Sequence, residues 1–196
     1  MNPAYAKAIV LVAILALALI RGIQTVRRPQ TTIATRREGS RELFVLVAVV
    51  SGFIVPIVWA ITPWLAFADF TPQALPVLSG AIVLAAGLWL FHRTHADLGA
   101  NWSARLQIVD AHQLVTAGIY RRVRHPMYLS LLLYGIGQML AVPNWIAGPC
   151  GLVGAVLLAT MRIGPEEAMM REQFGREYDA YMAGTGRILP RFLRRR

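Results

Sequence analysis

The sequence predicts an all-α fold, an integral membrane bundle of five transmembrane helices, and three observations predict it. Apolar residues make up 56% of the 196 and charged residues only 15%, too few polar positions to cover a soluble domain of this size. Several uncharged stretches are long enough to cross a bilayer core of about 30 Å. The arginines fall between those stretches on alternate loops, which gives the chain a direction. A net charge of +10 raises nucleic acid as a partner, but that reading needs a basic face on a polar domain. Here the basic residues sit between apolar spans, so membrane lipid with anionic headgroups suits the charge and no nucleic acid is expected. The single cysteine, Cys150, lies in an apolar run, which leaves neither a disulfide framework nor a cysteine metal site.

The first span covers Tyr5 to Val26 around the apolar run from Ala8 to Ile20. Arg21 and an arginine-rich stretch follow it where a signal peptide would carry a small-residue cleavage site, so it reads as a retained span. Leu43 to Ala68 is the second span, with Pro56 as an internal kink. After the turn-like Thr71-Pro72 comes the third, from Gln73 to Phe91. Met127 to Met161 is uncharged over 35 residues, and as one helix it would measure about 52 Å, too long for one crossing. Pro143-Asn144 is the turn signal near its midpoint. The stretch therefore reads as a hairpin of two short spans, Met127 to Ala141 and Trp145 to Met161. The chain reads as a single membrane domain, three N-terminal spans up to residue 93 and a two-span region from 94 to 196.

An odd number of spans puts the termini on opposite sides. Arg21 to Arg41 flank or lie in the first loop, Arg93 to Arg124 in the third, and the rest run from Arg162 to the end. The second loop and the Pro143 turn have none. All arginines thus share one side, which the positive-inside rule makes cytoplasmic, with the N-terminus outside.

The spans lack Asp, Glu, Lys and Arg away from their ends, which argues against an ion path or proton relay. Chemistry is expected in two cytoplasmic stretches, His92 to Tyr128 and Arg162 to Arg196. His92, His95 and Asp97 read either as a metal cluster or, more plainly, as a helix end emerging into the headgroups. Pro126 suits the first turn of the fourth span, with Arg124-His125 just before it. Exposed N–H groups there can receive a carboxylate or other anion. Pro165-Glu166-Glu167 reads as a helix start. Met170, Phe174, Tyr178, Tyr181 and Met182 would form the apolar face of one amphipathic helix lying on lipid. Gly184-Thr185-Gly186 has no βαβ context, so it is no nucleotide fingerprint.

The order of motifs carries more than any one of them. Leu98-Gly99-Ala100-Asn101-Trp102-Ser103, His112-Gln113-Leu114-Val115-Thr116-Ala117-Gly118-Ile119-Tyr120, Arg124-His125-Pro126-Met127-Tyr128, a glycine-bearing hairpin, Arg162, Glu166-Glu167, Phe174-Gly175, Tyr178, Tyr181, Arg187 and Pro190 follow one another. In this the C-terminal half resembles the isoprenylcysteine carboxyl methyltransferase family, and the phospholipid methyltransferases look similar. The resemblance implies a membrane enzyme that takes a methyl group from S-adenosyl-L-methionine, releases S-adenosyl-L-homocysteine, and uses a lipophilic or lipidated carboxylate as acceptor. It places cofactor contacts at His112, Gln113, Leu114, Val115, Tyr120, His125, Pro126, Met127, Tyr128 and Glu167, and the acceptor carboxylate at Arg162. The third loop, the hairpin and the C-terminal helix would enclose the cofactor, with no metal. An ionised carboxylate acceptor needs no general base; a thiol or amine would need one, and His125 is the first candidate. Other readings remain open at this point: a phospholipid, thiol or small-amine methyltransferase, a nicotinamide-dependent membrane reductase, since sterol reductases are similar in this region, or a lipid-binding scaffold.

Overall fold

The apolar runs form helices in the computed structural model, which describes residues 1–26, 33–36, 40–98, 107–109 and 114–191. The helices are α1 (Pro3–Val26), α2 (Ser40–Ile61), α3 (Ala74–Leu98), α4 (Pro126–Ala141), α5 (Cys150–Phe174) and α6 (Arg176–Gly184). One addition to the helical plan joins the first and third loops. There β1 (Ile33–Arg36) pairs antiparallel with β2 (Gln107–Val109), Ile33 opposite Val109 and Arg36 opposite Gln107. Helices α1, α2 over Leu43–Ile61, and α3 are long and apolar enough to cross a membrane. At 16 residues α4 is a shorter apolar helix, about 24 Å long. The uncharged part of α5, residues 150–161, measures about 18 Å.

The bundle has two distinct ends. At one, the Met1 ammonium donates to the Pro72 carbonyl at 3.1 Å. The α4–α5 turn is stitched to the α2–α3 connection there by Phe70 N–H to Pro143 O and Trp145 N–H to Ala68 O, both 3.0 Å. Asn144, 1% exposed, makes the centre of that seam. Its amide donates to Leu65 O and Asp69 Oδ1 at 2.7 Å each, and Trp59 Nε1 donates to the same Asp69 oxygen at 2.6 Å. Buried polar groups tied in this way hold their positions, because leaving one unmade costs more than making it gains. The other end gathers Arg21, Arg93, the segment from Arg121 to Arg124, and the second half of α5 with α6.

Packing between the ends depends on close backbone approach. Helices α3 and α4 form the most extensive contact, antiparallel, with Gly80 against Ala141 and Gly137 against Leu84. A Cβ on Gly80 would sit 2.6 Å from the Ala141 nitrogen, so only glycine permits this distance. Ala6, Val10, Trp59, Val77, Val142 and Ala147 make one buried cluster and Ala13, Leu17, Leu84, Phe91, Tyr134 and Ala141 the next.

Several expectations are revised. Helix α2 ends at Ile61 rather than Ala68, two residues before Pro63, and α5 begins at Cys150 rather than Trp145, after the turn that Asn144 holds. Helix α3 runs past Phe91 to Leu98, carrying His92 outward and His95 inward. Pro165 does not start a helix: α5 continues through it, since Gly164 and Pro165 lie on its exposed side, where a loosened turn is tolerated. The amphipathic helix is two helices, because Gly175 adopts φ +52° and ends α5. That conformation is open to glycine and strained for other residues.

Candidate active site

The arginine-rich end is assembled around the first turn of α4. The residues leading into it form a 3-10 turn, Gly118–Arg121, held against the end of α3. Ile119 N–H donates to Asp97 Oδ2 at 2.9 Å, and Arg93 pairs with the same carboxylate at 3.0 Å. Gly118, at φ +59°, makes this seat; a Cβ there would strike Asp97. His125 then occupies the N-cap position of α4 and Pro126 the first turn, as its fixed φ and missing N–H favour.

The end of the described chain wraps back over this start. Gly186 N–H donates to Arg122 O at 3.1 Å, Arg124 N–H to Gly186 O at 2.8 Å and His125 N–H to Arg187 O at 3.0 Å. Arg124 tightens the strap, its Nη1 donating to Met182 O at 3.1 Å and Thr185 O at 2.5 Å. Tyr181 donates to Tyr120 O at 2.7 Å, so α6 also holds the 3-10 turn. Tyr178 is 2% exposed beneath it, and burial pushes its hydroxyl up to about 12.

Two adjacent carboxylates of α5 meet this surface. Glu167 accepts at Oε1 from Arg124 Nε (3.2 Å) and Arg187 Nε (3.2 Å), and at Oε2 from Arg187 Nη2 (2.8 Å). His125 Nε2 lies 3.3 Å from Oε1. Burial pushes the Glu167 carboxyl up, but its hydrogen bonds and the charges of His125 and Arg187 prevail and hold it at about 2. Glu166 accepts a hydrogen bond from the Tyr128 hydroxyl and lies 3.7 Å from His125 Nδ1. Burial raises the Glu166 carboxyl above its usual range, against that hydrogen bond and the charges of His125 and Arg162. The His125 ring therefore stands between two carboxylates of unlike character, one fixed as an anion and one inclined to hold its proton.

Of the residues singled out in the sequence, His125, Tyr128 and Glu167 come together directly. Arg162, one helical turn before Glu166, acts on that carboxyl and on the Tyr128 hydroxyl through its charge. Tyr120 is buried, and its hydroxyl is pushed up by that burial and by Tyr181, Glu166 and Asp97. Pro126 is buried in the first turn, whereas Met127 packs toward the second core cluster. Leu114 and Val115 are half-buried on the way into the 3-10 turn. His112 and Gln113, with the Leu98–Ser103 motif beyond Leu98, lie outside the described residues. Sequence reasoning took Glu166 for a cap and left Arg187 as a motif letter. Their partners stand 38 and 20 residues away, at Tyr128 and Glu167, and no local pattern announces either pairing.

Comparison with known proteins bears on the same region. The profile of the isoprenylcysteine carboxyl methyltransferase (ICMT) family matches residues 77–172. A probable protein-S-isoprenylcysteine O-methyltransferase of Oryza sativa subsp. indica is 36% identical over 90 residues, 44% of this chain and 45% of that protein. The Homo sapiens protein-S-isoprenylcysteine O-methyltransferase is 28% identical over 140 residues, 67% of this chain and 49% of its own. Among solved structures, the eukaryotic intramembrane Ras methyltransferase ICMT superposes with a TM-score of 0.53 at 25% identity, covering 77% of this chain and 51% of that one. The chain spans about half the length of the curated relatives it matches. The matched segment holds most of α3, the turn that seats Tyr120, all of α4, and α5 through Glu166 and Glu167, and over this segment the chain is similar to the isoprenylcysteine carboxyl methyltransferase family.

Proposed function

We propose that this protein transfers a methyl group from S-adenosylmethionine to the carboxylate of an isoprenylcysteine-like lipophilic substrate, at the boundary between membrane and cytoplasm. The observation that carries the proposal is the cluster of His125, Tyr128, Glu166 and Glu167 around the start of α4, inside the family-matching segment. The names of the relatives state O-methylation of protein S-isoprenylcysteine, and that acceptor class is extended here to this chain.

The donor set suits such a cofactor. S-adenosylmethionine supplies a methyl group activated by a sulfonium, and it also carries an ammonium and a carboxylate. The aromatic faces of Tyr120 and Tyr128 can stabilise a cationic sulfur. Glu167, anionic at any working pH, can accept from an ammonium or a hydroxyl. His125, at the N-cap of α4, can bond another polar group of the cofactor. Arg162, at the end of the uncharged part of α5, can hold the acceptor carboxylate in bidentate geometry and aim one oxygen. That oxygen is already ionised, so the residues have no proton to remove, and the rate comes from positioning and from exclusion of water.

In the same reading α4 and the first part of α5 are the fourth and fifth spans, with the N-terminus outside and the site cytoplasmic. Support comes from the antiparallel run of α4 along α3 and from the stitching of the α4–α5 turn to the end that holds Met1. Calorimetric titration of S-adenosylhomocysteine into detergent-purified protein tests the proposal. Binding with micromolar affinity is expected, and no measurable heat at high micromolar ligand overturns it.

A further inference from the structure

Glu167 is held by two arginines that are not equivalent. The Arg124 side chain is 9% exposed, and its Nη1 is committed to the carbonyls of Met182 and Thr185. It cannot leave Glu167 without opening the strap. The Arg187 side chain is 54% exposed, and among the described residues its guanidinium bonds only to Glu167, in a two-point pairing at 3.2 and 2.8 Å. Its backbone is fixed by His125 N–H, which donates to Arg187 O, so the side chain can turn while the strap stays in place.

A buried carboxylate paired with a half-exposed guanidinium, and anchored on one side, places one negative and one positive group side by side. An α-amino-acid head, with its ammonium and carboxylate on one carbon, has the complementary arrangement. From this geometry we infer that the Glu167–Arg187 pair receives the amino-acid end of the methyl donor, Glu167 taking the ammonium and Arg187 turning to the carboxylate. The inference rests on the methyltransferase reading and extends it to a residue beyond the family-matching segment, which ends at 172.

Exchange is favoured over simple addition. An ammonium placed beside Glu167 with Arg187 still seated would give that carboxylate a third full cation. A carboxylate placed on Arg187 with the pair intact would face Glu167 at close range and be repelled. Exchange breaks one two-point ion pair and makes two, with net charge unchanged, while Arg124 keeps Glu167 in position. Arg187 is thus a specificity-determining residue that requires the ligand to bring both charges.

The test compares two ligands by calorimetry on the full chain in detergent. S-adenosylhomocysteine has the amino-acid head, whereas 5′-methylthioadenosine keeps the adenosine and thioether and lacks it. Arg187→Ala is expected to weaken S-adenosylhomocysteine binding by about 10-fold or more and to leave 5′-methylthioadenosine affinity within about twofold, with Arg187→Lys restoring part of the loss. Equal weakening of both ligands overturns the inference, since it marks a role in strap packing alone. Unchanged or tighter S-adenosylhomocysteine binding also overturns it, since Arg187 would then merely cover Glu167. Wild-type protein that binds 5′-methylthioadenosine but gains nothing from the amino-acid head overturns the inference alone. Wild-type protein that binds neither ligand overturns the methyltransferase reading, and this inference with it.

Discussion

Glu167 carries more of this site than any other side chain, and the consequences of altering it differ from those of altering Arg162. Glu167→Gln leaves Arg124 and its strap bonds around an uncharged amide, which is expected to cost on the order of 3 kcal/mol of stability and to weaken S-adenosylhomocysteine binding. Arg162→Ala is expected to keep that binding and lose turnover; equal loss of binding in both variants would show the roles are misassigned. The pH dependence follows from the same carboxylate. Its folded pKa of about 2 lies below the unfolded value, so its contribution is complete above about pH 4.5 and is lost as pH falls toward about 2. Acid unfolding followed by near-ultraviolet circular dichroism should lose that component in Glu167→Gln. His125, Tyr128 and Glu167 were legible in the sequence through motif order. The Arg187 pairing was not, because it depends on a strap that returns to α4 across a whole helix pair.

Helices were legible where a long uncharged run dictates them and misread where one glycine or proline decides. Gly175 and Pro165 carry opposite lessons: a glycine inside an amphipathic pattern breaks it by taking φ +52°, and a proline that looks like a start is absorbed into α5. Gly175→Ala is expected to cost about 1–2 kcal/mol and to weaken the seating of α6, read out as a lower midpoint in thermal unfolding. Gly80→Ala tests the α3–α4 contact. Its methyl would meet backbone of α4 at 2.6–2.9 Å, and forcing the two helices apart should cost about 1–3 kcal/mol. A melting midpoint equal to wild type would show that the contact is softer than its geometry implies. The β1–β2 ribbon left no sequence signal, since its strands are only four and three residues long and lie in charged loops that read as linkers.

For the whole molecule, the arginine count gave a direction, and the structure gathers the described arginines at one end of the bundle, opposite Met1. Ala68→Cys and Ala180→Cys test how the bundle sits in a cell. A membrane-impermeant thiol reagent applied from outside should label the first and spare the second, and the reverse pattern would invert the proposed orientation. At the Met1 end Trp64, Phe67 and Trp145 are 73%, 79% and 73% exposed, and Trp rings favour the headgroup layer of a membrane. The seam between Asp69 and Asn144 joins residues 75 apart in sequence, and this constrains the order in which the protein is made. While the chain is being synthesised, Asp69 and Trp59 emerge long before the residue that completes their bonding. In the proposed five-span arrangement they wait until a polar turn has been carried across the lipid core. Delivery of Asn144 therefore closes this end of the bundle, and the bonds it makes on arrival bolt the α4–α5 turn to the α2–α3 connection.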